Sequence, residues 1–211
     1  MKINKKVKQA VKQVILITVL LIGTFLMLSF LTYEKDVNDT EKTLPSISDY
    51  VLHYKPMVEK YAREYNVSGY VDVLLAMMMQ ESGGRGADPM QSSESYCGKK
   101  GCINDPELSI KQGAYYFSKT LEDADGDLHL AVQSYNFGLG FIDYVQQEKG
   151  TYSEEAAIDF SREMYENAPD QSIYTCLRKE AEQYEACYGD IYYVRSVMEY
   201  RDVIAMELRN W

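Results

Sequence analysis

The 211 residues carry 22 Lys plus Arg against 32 Asp plus Glu, a formal charge of −10, and 46% of them are hydrophobic. That apolar content can build a core and excludes wholesale disorder. A sequence pI of 4.8 argues against nucleic-acid binding, which relies on basic patches that release counterions. One domain with a small appendage is the expected organisation.

In chain order, residues 1–13 hold Lys2, Lys5, Lys6, Lys8 and Lys12 and no acid, and residues 14–33 form an uncharged apolar run. At a rise of about 1.5 Å per residue such a run spans about 30 Å, the thickness of a bilayer's hydrocarbon. The spacing predicts a transmembrane helix over 14–33 behind a basic cytoplasmic tail. Acids follow the run at Glu34, Asp36 and Asp39, so the charge bias predicts a single pass with the N-terminus inside the cell and the remaining domain outside. The alternative is a cleaved signal peptide, but the run is long for one and no small-x-small site follows it. Setting the five lysines aside leaves 17 basic against 32 acidic residues, a balance of −15. A domain so charged has little attraction to anionic wall polymers, so a tether would keep it near such a target.

Residues 34–47 are polar and read as a stalk, and the domain proper occupies 48–211. Val51, Tyr54, Met57, Val58, Tyr61 and Tyr65 mark an amphipathic helix that Pro56 starts or kinks. Tyr70 to Gln80 is almost wholly apolar, is stopped by Gly83 and Gly84, and reads as the central buried helix. A Gly-, Ser- and Asp-rich loop follows, with at most a minor hairpin between 85 and 104. Asp105-Pro106-Glu107 opens a third helix to about Asp123. Further helices are expected at Leu128 to Asn136, at Phe141 to Glu148, from Ser153 to before Pro169, and from Asp190 toward Trp211. No stretch alternates with period two, so the domain is expected to be all-α.

All four cysteines follow the apolar run. Cys97 and Cys102 share one loop, and Cys176 and Cys187 lie close together later in the chain. Four cysteines permit three connectivities; the two local pairings are favoured, free thiols being the alternative. His53 and His129 lie at no zinc-ligand spacing from either pair. Neither a metal nor an organic cofactor is expected.

Glu81 carries the chemistry. It is the first acid after eight uncharged residues, Val73 to Gln80, at the end of a helix expected to be buried. Low polarity and the negative helix terminus both raise its pKa. A carboxylic acid protonated near neutral pH suits general acid catalysis, and glycosidic oxygen is a leaving group that needs a proton. Taken alone, a Glu before Gly-Gly is more often a solvated surface residue.

Its surroundings change that reading. The segments LLAMMMQESGG (74–84), DPMQSSES (88–95), DPELSIKQGAYYF (105–117), LAVQSYNFGLGFIDYV (130–145) and YGDIYYVRSVMEY (188–200) resemble, in order, the lysozyme-like domains of Gram-positive conjugative-element cell-wall hydrolases, relatives of goose-type lysozymes and soluble lytic transglycosylases. The resemblance implies a lysozyme-like helical fold that cleaves the β-1,4 bond between N-acetylmuramic acid and N-acetylglucosamine in peptidoglycan, with Glu81 as the catalytic acid. It implies substrate contacts from Ser82, Gln91, Ser92, Ser93, Tyr135, Asn136 and Tyr193, although tyrosine packing would explain Tyr135 and Tyr193 equally well in isolation. It also suggests service to a conjugation or type IV secretion channel, as a local cutter of the wall. Better-known members carry a following peptidase domain, whereas this sequence ends at Trp211, so a glycan-only cutter is expected. The stretch from Pro169 to Cys187 looks like an insertion. Hydrolysis would need a second carboxylate, for which Glu94 is the best candidate ahead of Asp88 and Asp105; a lytic transglycosylase needs none. From a different class, a non-catalytic peptidoglycan-binding scaffold remains the alternative.

Overall fold

The structure is a computed structural model that describes residues 5–38 and 44–209, and the chain divides after Leu44 into two compact units. The first is one helix, α1 (Lys5–Asn38). Its segment Lys12–Ser29 is long and apolar enough to cross a membrane, with a mean hydropathy of 2.0, and none of it is buried within the protein. Thr18 and Thr24 donate their hydroxyls to the carbonyls of Val14 and Leu21, at 2.9 Å each. Such internal pairing lets a hydroxyl enter hydrocarbon without an unmet hydrogen bond. The helix continues past the apolar run to Asn38, where a polar stalk was expected to begin. No Gly or Pro stands between Gly23 and Pro45 to stop it. Residues 39–43 of the expected stalk lie outside the described residues.

The second unit is helical throughout, with no strand among the described residues. It begins with α2 (Asp49–His53), where Ser48 accepts from the Tyr50 amide, and α3 (Lys55–Glu64), whose first turn holds Pro56. The break at Tyr54 is the one that Pro56 imposes by denying an amide to a continuous helix. Next comes α4 (Val71–Ser82), with Val73 through Met78 at most 1% exposed. A helix apolar on every side needs partners all round, and α4 has α3 on one flank and the final helix on another. It ends at Gly83, whose φ of 64° is the left-handed conformation that glycine adopts without strain.

The 85–104 loop, where at most a minor hairpin was expected, contains the short helix α5 (Ser93–Cys97). α6 (Pro106–Asp123) starts as its sequence requires: the Asp105 side chain accepts from the Glu107 amide and Pro106 fills the first turn. α6 packs between α3 and α7 (Leu128–Phe137). The predicted helix from Phe141 is divided into α8 (Gly140–Tyr144) and a π-helical turn over Val145–Lys149. Ser153 caps α9 (Glu154–Glu166), and Phe137, Phe141 and Phe160 interlock with ring centroids 5.1 to 5.5 Å apart. A mostly irregular segment with α10 (Lys179–Glu182) leads to α11 (Tyr193–Arg209), which lies along α4. Disulfides join Cys97 to Cys102 and Cys176 to Cys187, the two local pairings.

Candidate active site

Glu81 sits in the last turn of α4, where the apolar helix emerges at a cleft of about 990 Å³. One wall of the cleft comes from the α5 region, including Glu94, Lys100 and Gly101; the opposite wall comes from 173–177 and 187–189. Each wall is cross-linked by one of the disulfides.

Burial raises the Glu81 carboxyl from its usual 4.5 to about 7; a hydrogen bond from Tyr193 pulls the other way, and the charges of Asp190 and Asp88 push further up. The Tyr193 hydroxyl donates to Glu81 Oε1 at 2.6 Å. Tyr193 is 1% exposed, so this contact orients the acid from behind rather than from the cleft. A half-buried acid protonated around neutral pH, held by one donor and open to a groove, can give up a proton and take one back.

The floor is built by Asp88. Its Oδ1 accepts from the Ser92 amide (3.0 Å) and Ser109 hydroxyl (2.6 Å), and its Oδ2 from the Ser93 amide (3.1 Å) and hydroxyl (2.6 Å). Burial alone would raise Asp88, but the bonds from Ser109, Ser93 and Ser92 outweigh it and hold the carboxyl below its usual value. Asp88 is therefore a structural anion that curls the loop so that Gln91, at a φ of 47°, reaches the cleft. Met90 beside it is buried, and its carbonyl accepts from the Tyr135 hydroxyl at 3.0 Å. Gly113 of α6 makes room: a Cβ there would come within 2.8 Å of Met90 Cβ.

Of the residues singled out in the sequence, Glu81, Gln91, Ser93, Glu94, Tyr135 and Asn136 line this one cleft. Ser82 and Ser92 are placed differently from their expected role. The Ser82 hydroxyl donates to the Pro89 carbonyl at 2.8 Å, and Ser92, 2% exposed, donates to the Ser109 carbonyl at 2.9 Å. Both fasten the loop. Ser93 lines the cleft while its hydroxyl donates to Asp88 and accepts from the Ile103 amide. Glu94 lies on the rim, 63% exposed and 4.0 Å from Lys100. Asp105 is a helix cap.

Three functional neighbours were not recognised as such from the sequence. Asp190, expected only as the start of the last helix, is 5% exposed and paired with Arg178 through two bonds of 2.6 and 2.7 Å. Its amide donates to Asn136 Oδ1 at 2.8 Å, which leaves the Asn136 NH2 as the group able to meet a ligand. Ser109, inside α6, carries no local signal of its contact with Asp88. Tyr116 packs at a tilt against Tyr135, with centroids 5.4 Å apart, and also faces the cleft.

An all-helical domain whose buried central helix brings a glutamate of raised pKa to a cleft defines a lysozyme-like protein. Residues 48–201 match the model of the family described as Lysozyme-like, and the chain belongs to that family. An uncharacterized membrane protein of Bacillus subtilis (strain 168), YocA, is 40% identical over 190 residues, covering 85% of this chain and 84% of that one. The bifunctional muramidase/DL-endopeptidase CwlT of the same organism is 46% identical over 124 residues, covering 59% of this chain and 38% of CwlT. The crystal structure of a lipoprotein-like member of the NLP/P60 family from Staphylococcus aureus subsp. aureus Mu50 superposes with a TM-score of 0.64 at 36% identity, over 74% of this chain and 54% of that one.

Proposed function

We propose that the chain is a membrane-tethered peptidoglycan glycosidase that cleaves the β-1,4 bond between N-acetylmuramic acid and N-acetylglucosamine, with Glu81 as its acid. The observation that carries this reading is the Glu81 carboxyl, held near pKa 7 in the cleft and bonded to Tyr193. Protonated Glu81 donates to the glycosidic oxygen as the C1–O bond breaks, and the departing sugar leaves with that proton. The resulting carboxylate keeps the Tyr193 hydrogen bond, which favours the charged form. Gln91, Ser93 and the Asn136 amide lie where they can hold the sugars, and Tyr135 backs the floor beneath them.

Glu81 then acts as base, either toward water or toward the C6 hydroxyl of the same muramic residue. Glu94 is the one other carboxylate among the described lining residues, so its substitution separates the routes. The assay uses the full chain in detergent with purified Gram-positive peptidoglycan. Wild type releases soluble muropeptides, and Glu81→Gln reduces release to background with the helical content unchanged; full activity in that variant overturns the reading. If hydrolysis uses Glu94, Glu94→Gln falls about a hundredfold or more and wild-type products end in a reducing sugar. If closure is intramolecular, Glu94→Gln stays close to wild type and products are anhydro sugars, lighter by one water.

We also infer an N-terminus inside the cell, supported by the five lysines before the apolar run. The family resemblance supports a role beside a conjugation or type IV secretion channel, since a channel crossing the envelope needs a confined gap in a covalent mesh. Transfer frequency in cells carrying Glu81→Gln tests that role, and an unchanged frequency rejects it.

A further inference from the structure

We propose that Arg178 is a positioning residue for glycan cleavage: from within the disulfide-closed segment 176–187 it clamps Asp190, and through Asp190 it holds the cleft wall in register with Asn136 and the end of the Glu81 helix. The inference rests on the glycosidase reading above.

Arg178 approaches Asp190 as a fork. Nε bonds Oδ1 at 2.6 Å, Nη2 bonds Oδ2 at 2.7 Å, and Nη2 also reaches the Ser196 hydroxyl of α11 at 2.7 Å. This planar, two-point arrangement sets orientation as well as distance, which a lysine would not reproduce. Asp190 is a junction of separate elements. Its amide holds Asn136 Oδ1, its carbonyl accepts from Gln133 Nε2 of α7 at 2.9 Å, and its Oδ2 accepts from Gln80 Nε2, the residue before Glu81, at 3.3 Å. The turn that Asp190 starts, with the Tyr193 amide donating to its carbonyl at 3.1 Å, delivers the tyrosine that bonds Glu81. The approach to Asn136 is tight enough that a Cβ at Gly189 would lie 2.7 Å from Asn136 Oδ1.

The wall itself straddles the clamp. Tyr174, Thr175 and Leu177 line the cleft just before Arg178, and Cys187, Tyr188 and Gly189 line it just after the loop closes. The disulfide limits the loop's span, while Arg178 ties it to the groups around the acid. A purely structural ion pair would lower melting temperature and leave the folded enzyme's kinetics alone. A positioning clamp changes the kinetics of the folded enzyme, because small displacements of substrate or acid reduce rate steeply.

The experiment compares full-length wild type, Arg178→Lys and Arg178→Gln in detergent, each assayed well below its own melting temperature. Turnover and KM are measured on purified peptidoglycan, and affinity for a muramic-acid-containing tetrasaccharide is measured in the Glu81→Gln background. Arg178→Gln is expected to lose about tenfold or more in turnover and several-fold in tetrasaccharide affinity, with Arg178→Lys falling between it and wild type. Turnover, KM and affinity all equal to wild type overturn the proposal. So does a lysine variant no better than glutamine. If Arg178→Gln does not fold, Arg178→Lys decides, and wild-type kinetics in it overturn the clamp. If wild type releases nothing from the wall, the glycosidase reading falls separately, and equal tetrasaccharide affinity with and without Arg178→Gln then rejects the clamp on its own.

Discussion

The Tyr193 hydroxyl donates a hydrogen bond to the Glu81 carboxyl, and that bond favours the ionised form against the burial that disfavours it. The acid works protonated, so cleavage should decline as pH rises through about 7. Tyr193→Phe removes the stabilisation of the anion, so the Glu81 pKa rises and the alkaline limb moves up by about one pH unit, read from the pH dependence of muropeptide release. Asp88 behaves in the opposite sense. Its folded pKa lies below the ordinary value of 3.8, so its contribution to stability is present at neutral pH and is lost as pH falls through the folded value. Ser109→Ala should therefore destabilise the fold by about 1–3 kcal/mol at neutral pH and by less in acid, measured by urea denaturation at both. At this scale the sequence singled out Glu81 through the family motifs around it, since a lone acid before Gly-Gly has a commoner reading as a surface residue. It could not separate Ser82 and Ser92, which fasten the loop, from Ser93, which reaches the cleft. All three are small hydroxyls in the same short region, and what distinguishes them is where their partners lie: the Pro89 carbonyl for Ser82, the Ser109 carbonyl on α6 for Ser92, and the Asp88 carboxylate for Ser93.

Helix α6 illustrates what elements decide. Its start was legible, since Asp105, Pro106 and Glu107 each satisfy a separate requirement of a helix N-terminus. The role of Gly113 in its middle was not. Replacing that glycine by alanine should favour a helix by about 1 kcal/mol, yet the new methyl would lie 2.8 Å from Met90 Cβ, an atom that no rotamer change can move away. The clash wins: Gly113→Ala is expected to destabilise by about 1–3 kcal/mol. Displacement of Met90 should also loosen its carbonyl from the Tyr135 hydroxyl, lowering cleavage in the folded fraction. Thermal melting and turnover on peptidoglycan measure the two effects separately. The 85–104 loop, allowed at most a minor hairpin, is helical for a related reason. Asp88 collects the amides and hydroxyls that a strand would otherwise pair across a ladder, and the chain coils into α5 instead.

For the molecule as a whole, the periodicity and length of the apolar runs were a sound guide to an all-helical domain and an apolar leading helix, because neither depends on particular contacts. The junction at Asp190 was hidden, since it joins residues from four parts of the chain. The disulfides also act at this scale. Each closes a short loop at the surface of the cleft, away from the α4 core, and closing loops of this size stabilises by about 2–3 kcal/mol apiece. Reduction should therefore lower the melting temperature by several degrees and reduce cleavage more than it reduces helicity, as followed by circular dichroism alongside muropeptide release.

Glu81 and Tyr193 touch although 112 positions separate them. During translation the acid is made early and its partner late, so in a nascent or prematurely terminated chain the carboxyl lacks the donor that favours its charged form. Under the proposed glycosidase reading, the setting of the acid is complete only once α11 has docked against α4.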